Sequence, residues 1–334
     1  MKFRRSAAIS FVLPALLLFC GAPSVHSKNG GRERVWRVGI LSGVDAFYPM
    51  ADGFRTKMSE FGYVEGKNII YDIRKTNADP HAEKQAVQSF LAKKVDLIYV
   101  FPTEPAVTAK ELVDGKVPVV FSFAALEGVQ LVQNLRSPGG NMSGVRYPAP
   151  ELTAKRFELL MEFLPRLRRL CVFYDPTYPS SHISLDELRK AARAADVELS
   201  ENKAVNMAEL KRAIAQQEKN LFRPEAVLIM PEQLTQSPQG WAAISKFAER
   251  LRIPIAGSAA FEADSGALFS FIPDNLETGR LAADIAAKIL RGVPAGSIAV
   301  STPDSKLRIN YRRARKLGIA VPPGLLSRAD EIIR

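Results

Sequence analysis

Two cysteines, Cys20 and Cys171, and three histidines in 334 residues are too few for a disulfide framework or a Cys/His zinc site. No GxGxxG turn follows the first β-rich run, no phosphate-cradling loop occurs, and no GxSxG elbow presents a nucleophile. His81 and His182 lie far apart, and nothing beyond chance assembles a Ser-His-Asp triad around either. The sequence therefore supports no catalytic residue, no metal and no cofactor. Long apolar runs are missing too. The longest, residues 7–19, is interrupted by Pro14 and is too short to span about 30 Å of hydrocarbon. What remains is ordinary: 47% hydrophobic, 8% aromatic and 24% charged residues exclude a disordered, collagen-like or polytopic membrane chain. The length allows two domains with proper cores.

The apolar run has a role of its own. Lys2, Arg4 and Arg5 precede it, and small and polar residues follow, which is the pattern of a secretory signal peptide. Cleavage after Ser27 fits best, with Val25 at −3, and Ala22 is a second candidate site, so residues 1–27 are assigned to the signal and the mature chain to the periplasm. Cys20 directly after the run invites a lipid anchor, but Phe19 stands where that signal takes Gly, Ala or Ser. Cys171, the remaining cysteine, lies in an apolar run and reads as an inert core residue. The net charge of +11 concentrates in Arg166, Arg168 and Arg169 and in Lys306, Arg308, Arg312, Arg313, Arg315 and Lys316. Only Tyr311 interleaves, and no helix-turn-helix precedes the first strand. Solvated faces or docking to an acidic partner are expected, and no nucleic acid.

From Trp36 onward, short β-rich runs alternate with helical stretches. Strands are predicted at 35–41, 68–74, 97–101 and 117–121, with helices at 48–61, 80–93 and 105–112 between them. The rhythm resumes with strands at 169–174, 198–204, 226–230, 254–256 and 266–271, and with helices at 184–195, 208–220, 240–251 and 276–290. Regular alternation implies parallel sheets covered by helices on both faces. The predicted fold class is α/β, with two doubly wound parallel-sheet lobes joined by a hinge. The Gly- and Pro-rich residues 136–150 form the expected junction. Lobe 1 takes 36–145 plus part of 271–334, lobe 2 takes 146–270, and the stretch from Asp304 to Asn310 is expected to return to lobe 1.

In such sheets, ligands bind beyond the carboxyl ends of the strands. Those ends carry Ser42, Gly43 and Phe47; then Phe101, Thr103 and Glu104; then Ser122 and Phe123. In the second half they carry Tyr174, Asp175 and Ser181, then Glu232, then Ser258. Hydroxyls and helix N-terminal N–H groups at Thr103 and Ser181 suit a carboxylate. Glu104, Glu232 or Asp175 suits an ammonium group. Phe47, Phe101, Phe123 and Tyr174 suit a flat ligand. The alternative for any one of them is a core aromatic or a helix cap.

Several stretches carry a resemblance. They are residues 37–41 (Arg-Val-Gly-Ile-Leu), 60–68 (Glu-Phe-Gly-Tyr-Val-Glu-Gly-Lys-Asn), 96–100 (Asp-Leu-Ile-Tyr-Val) and 118–121 (Pro-Val-Val-Phe). The Ser-Pro-Gly-Gly-Asn-Met-Ser-Gly turn at 137–144 is the most telling, and Gly279-Arg280, residues 289–292, Ile309-Asn310 and residues 316–319 add to it. Over nearly all of residues 36–334 the chain resembles the periplasmic substrate-binding proteins of ABC transporters, and among them the TrpX-like family associated with aromatic amino acids. The resemblance implies two lobes of the type I periplasmic-binding-protein kind, a multi-strand hinge, a small-molecule solute and a membrane permease as partner. It maps the ligand loops onto Ser42-Gly43, Thr103, the segment after Phe121, and the stretch from Tyr174 to Ser181. One departure is plain: where the family commonly has Asp-Pro after the fourth strand, this chain has Ala125-Leu126. The expected function is an exported receptor that delivers a small, planar or amphipathic solute by hinge closure. A periplasmic sensor for a kinase or chemoreceptor is the first alternative, and an exported hydrolase the second. A transcriptional regulator on this fold is at odds with the signal peptide.

Overall fold

The computed structural model describes residues 34–334; the signal-peptide assignment, both cleavage candidates and Cys20 lie outside the described residues. The chain runs β1 (Trp36–Ser42), α1 (Pro49–Glu60), β2 (Ile69–Lys75), α2 (Pro80–Ala92), β3 (Leu97–Phe101), α3 (Thr103–Val113), β4 (Val119–Ala124) and β5 (Met142–Arg146). It continues through α4 (Ala149–Phe163), β6 (Arg169–Tyr174), α5 (Ser181–Ala194), β7 (Glu198–Lys203), α6 (Met207–Lys219), β8 (Ala226–Leu228), α7 (Gln233–Gln236) and α8 (Pro238–Leu251). It closes with β9 (Ile255–Gly257), α9 (Ala260–Asp264), β10 (Phe269–Pro273), α10 (Asn275–Leu290), β11 (Ser305–Asn310), α11 (Tyr311–Leu317), α12 (Pro323–Arg328) and β12 (Glu331–Ile333).

Two sheets result. The first has strand order β2-β1-β3-β4-β5 and is parallel throughout. The second has order β12-β11-β10-β9-β8-β6-β7. Its β10–β11 pair is antiparallel, a departure from the all-parallel expectation. The reason lies in the connection: between β10 and β11 the chain leaves for the first lobe as α10 and re-enters at the end where β10 left, so that Ser305 pairs with Pro273.

Helices cover both faces of each sheet, which is why β3 and β4 are buried at every position. In the first lobe, Val38, Ile40, Tyr99 and Val120 pack toward α1 and α10, while Leu41, Val100 and Phe121 pack toward α2 and α3. In the second, Leu170 and Val172 face α4 and α5, and Cys171 and Phe173 face α6 and α8, as a two-residue period requires. The α1–α10 contact is unusually close. A Cβ on Gly53 would lie 2.1 Å from the Leu276 carbonyl oxygen, and one on Gly279 would lie 2.0 Å from that of Met50. The Arg280–Glu60 ion pair (2.7 Å) flanks this seam.

The chain passes between lobes three times: between β5 and α4, between β10 and α10, and between residue 301 and β11. Residues 275–301 therefore accompany the first sheet, with Ser301 bridging Val145. Residues 305–310 do not return there as expected; β11 lies in the second sheet between β10 and β12, where its apolar Leu307 and Ile309 find cover. Helix α4, within and beyond the predicted junction, is a third difference. Its Ala149 and Leu152 pack on the first lobe's core, and Phe157, Leu160 and Phe163 on the second's.

Candidate ligand-binding cleft

A narrow cleft of about 40 Å³ lies at the carboxyl ends of the strands, lined by both lobes. The first lobe contributes Val44 and Phe47 after β1, Pro102, Thr103 and Glu104 after β3, and Phe123 and Ala125 at the end of β4. Tyr147 comes from the first crossing. The second lobe contributes Tyr178 from the β6–α5 loop, and Pro231, Glu232, Gln233 and Gln236 after β8.

The aromatic wall depends on one irregularity. Phe123 has φ +53°, a left-handed conformation that a non-glycine residue adopts only at a cost of order 1–3 kcal/mol. The register of β4 against β5 shifts between Ser122 and Ala124, so Phe123 leaves the alternation and joins the Tyr99 side of the sheet rather than the Phe121 side. Its ring lies 4.3 Å from Tyr147 at 22° and 4.7 Å from Phe47 at 37°. Behind Tyr147 stands Arg156, fully buried on α4. It donates to the Tyr147 hydroxyl (2.7 Å) and to the Phe271 carbonyl (2.9 Å), tying two crossings together.

The polar groups divide into the engaged and the available. Glu232 accepts from the backbone N–H of Leu234 (2.6 Å) and Thr235 (3.0 Å), capping α7, and burial pushes its carboxyl up to about 7. Thr103 Oγ1 accepts from Ala125 N (3.1 Å). Gln236 donates to Ser258 Oγ (2.8 Å). Glu104, on the first turn of α3, has one carboxylate oxygen, Oε2, buried without a hydrogen-bond partner. Burial raises its carboxyl above the usual range, opposed by the Tyr178 and Gln233 side chains of the second lobe. Burial, with the nearby Glu104 charge, likewise raises the Tyr178 phenol. The lobes touch beside this group: a Cβ on Gly128, itself at φ +79°, would lie 2.4 Å from the Pro179 carbonyl oxygen.

Of the sequence candidates, Phe47, Thr103, Glu104, Phe123 and Glu232 line the cleft, and Ser258 stands behind it, holding Gln236. The others are elsewhere. Phe101 is buried in the first core against Tyr99, 5.0 Å between centroids, and Tyr174 is buried in the second core. Each is the last residue of its strand, where alternation turns it onto a helix-covered face. Ser122 accepts from the Tyr99 hydroxyl (3.1 Å). Ser42 donates to the Val44 carbonyl (3.1 Å), and Gly43 N donates to that of Phe101 (2.8 Å), so both shape the β1 loop. Asp175 accepts from Thr177 N and Oγ1. Ser181 is buried at the start of α5, outside the lining. Sequence reasoning passed over Tyr147, Tyr178, Gln233 and Gln236. The available signals were the Tyr147-Pro148 dipeptide in the junction and the loop length between Tyr174 and Ser181.

The basic clusters are largely neutralised. Arg308 pairs with Asp264 and Glu331, Arg313 and Lys316 with Glu249, and Arg169 with Glu225. Among the described residues, no group of three or more His, Cys, Asp or Glu is placed to hold a metal, and no helix is long and apolar enough to cross a membrane.

Two α/β lobes, crossed three times by the chain and closing on a cleft at their strand ends, define a two-lobed ligand-binding protein. Residues 38–333 match the family model described as ABC transporter substrate binding protein, and the chain belongs to that family. It is 29% identical over 289 residues to a tyrosine-binding protein of Clostridioides difficile, covering 84% of this chain and 80% of that relative. Among solved structures it is similar to a conserved domain protein from Vibrio cholerae (26% identity, TM-score 0.78), covering 90% of this chain and all of that one. A Streptococcus ABC domain in complex with L-Trp shares the fold at 20% identity and TM-score 0.79, with 90% of this chain and all of that one covered.

Proposed function

We propose that the protein is an exported solute receptor that captures a small aromatic or amino-acid-like molecule and delivers it to an ABC permease. The observation that carries this reading is the cleft itself: a stacked wall of Phe47, Phe123 and Tyr147 faces polar side chains drawn from both lobes. Aromatic rings favour a flat ligand. The relatives named for tyrosine and crystallised with L-Trp support that class. Export rests on the basic, apolar and polar succession of residues 1–27.

The mechanism is hinge closure. Residues 36–146 with 275–301, and 147–273 with 305–334, act as two bodies joined by the three crossings. A ligand bridging Glu104 and Thr103 on one side and Tyr178 and Gln233 on the other stabilises the closed arrangement. The permease then reads closure from surfaces on both lobes.

The test is a thermal-shift screen of the purified protein against amino acids, aromatic amines, aromatic acids and sugars. A true ligand at about 100 times its dissociation constant adds roughly 2.7 kcal/mol, a rise of several degrees. One stabilising chemical class is the expected result. A folded protein that no solute stabilises would overturn the reading.

A further inference from the structure

Among the described residues lining the cleft there is no Lys, Arg or His, yet two carboxylates are present, Glu104 and Glu232. A third, Glu83, lies buried behind Glu104, accepts from Thr108 Oγ1 at 3.2 Å, and feels the Glu104 charge. The negative charges are not equivalent. Both oxygens of Glu232 are committed to the backbone of α7. Asp175, the other acid at a strand end, is committed to Thr177 and lies outside the lining. Glu104 alone combines a place on the cleft wall with a buried carboxylate oxygen that has no hydrogen-bond partner.

A buried acceptor with nothing to accept costs of order 1–3 kcal/mol or more when charged. A ligand donor removes that cost, whereas a ligand anion would add like-charge repulsion in a setting of low dielectric. The neighbouring aromatic faces of Phe47, Phe123 and Tyr147 also favour a cation over an anion. We propose that the Glu104 carboxylate is the recognition point for a positively charged nitrogen, and that a protonated amine attached to a flat ring is the feature the cleft selects. This rests on the solute-receptor reading and adds a required charge to it. A carboxylate on the ligand is then optional, so aromatic amines are ligands alongside aromatic amino acids, and aromatic acids are not.

Calorimetric titration of the protein with two matched series tests this: phenethylamine, phenylalanine and phenylpropanoate; then tyramine, tyrosine and hydroxyphenylpropanoate. The amine and the amino acid of a series are expected to bind, with the acid weaker by about tenfold or more. Glu104→Gln is expected to weaken the amine by about tenfold or more and to erase the preference over the acid, while Glu104→Asp preserves the order. An acid that binds as tightly as its amine, tight binding of an uncharged aromatic such as 2-phenylethanol, or an amine affinity within about twofold in Glu104→Gln would each overturn the inference and leave the receptor reading standing. Should Glu104→Gln fail to fold, the ranking within each series on the unaltered protein decides. A folded protein that binds nothing in these series or in the wider screen overturns both.

Discussion

Arg156 donates from Nη2 to the Tyr147 hydroxyl at 2.7 Å, and through that bond the helix entering the second lobe holds a ring of the cleft wall. The same guanidinium reaches the Phe271 carbonyl on β10 (2.9 Å), next to the second crossing. A fully buried arginine is a costly element of a core; Nε and Nη2 have acceptors, whereas Nη1 is buried without one. Here it fixes two hinge segments and the orientation of the Tyr147 ring at once.

Removing the acceptor exposes that arrangement. Tyr147→Phe is expected to lower stability by about 1–3 kcal/mol, because a buried charged donor loses its short hydrogen bond and keeps only the 3.5 Å contact with the Ser258 carbonyl, while the ring remains. Chemical denaturation measures it, and a change below about 0.5 kcal/mol would show that Arg156 does not depend on the phenol.

The α1–α10 seam makes a second prediction. Gly53→Ala and Gly279→Ala each force a methyl into a backbone carbonyl and are expected to cost about 1–3 kcal/mol or more. The double variant is expected to cost less than the sum, since the first substitution already separates the helices. Thermal unfolding of the three variants is the measurement; strict additivity would mean the helices adjust independently.

Two phenylalanines close in sequence should separate by readout. Phe101→Ala removes a fully buried ring from the first core and is expected to lower stability by about 3–5 kcal/mol. Phe123→Ala is expected to weaken an aromatic ligand by about 1–3 kcal/mol. A loss of affinity without loss of stability at Phe101 would reverse this assignment.

Burial lifts Glu232 and Glu262 from 4.5 to about 7 in the folded protein. Between those values the native state keeps protons that the unfolded chain releases, so stability falls as pH rises from about 4.5 to 7. Glu262, fully buried, accepts from Ser258 N (2.6 Å) and Ala259 N (3.0 Å) through one oxygen, while the other is unpartnered. Glu262→Gln is expected to flatten the decline between pH 5 and pH 7, on the order of 1–3 kcal/mol. Denaturation midpoints at the two pH values check it, and an unchanged slope would remove Glu262 as a cause.

Much of the fold was legible because burial on both sheet faces writes itself as continuous apolar runs. The runs at 97–101 and 169–174 coincide with β3 and β6, and β1 differs by one residue at each end. Helix α4 was not legible: Pro148 and Pro150 read as a junction, and its buried Arg156 breaks the apolar stripe. Neither was the destination of 305–310, since a short strand carries no mark of which sheet it will join. At the cleft, the rule that ligands sit beyond strand ends located the loops. It could not say which residue in each loop turns inward. That depended on the bulge that frees Phe123, and on Tyr147 and Tyr178 standing in irregular segments with no period to read.

The three crossings also govern how the molecule is made. A chain emerging from the ribosome ordinarily completes its first domain before the next is synthesised. Here the first lobe lacks α10, which covers one face of its sheet, until residue 290, and the second lacks β11 and β12 until the chain is nearly finished. Neither core can close while the last 60 or so residues are missing, so the nascent chain stays without a finished lobe, and therefore threadable, almost to its end.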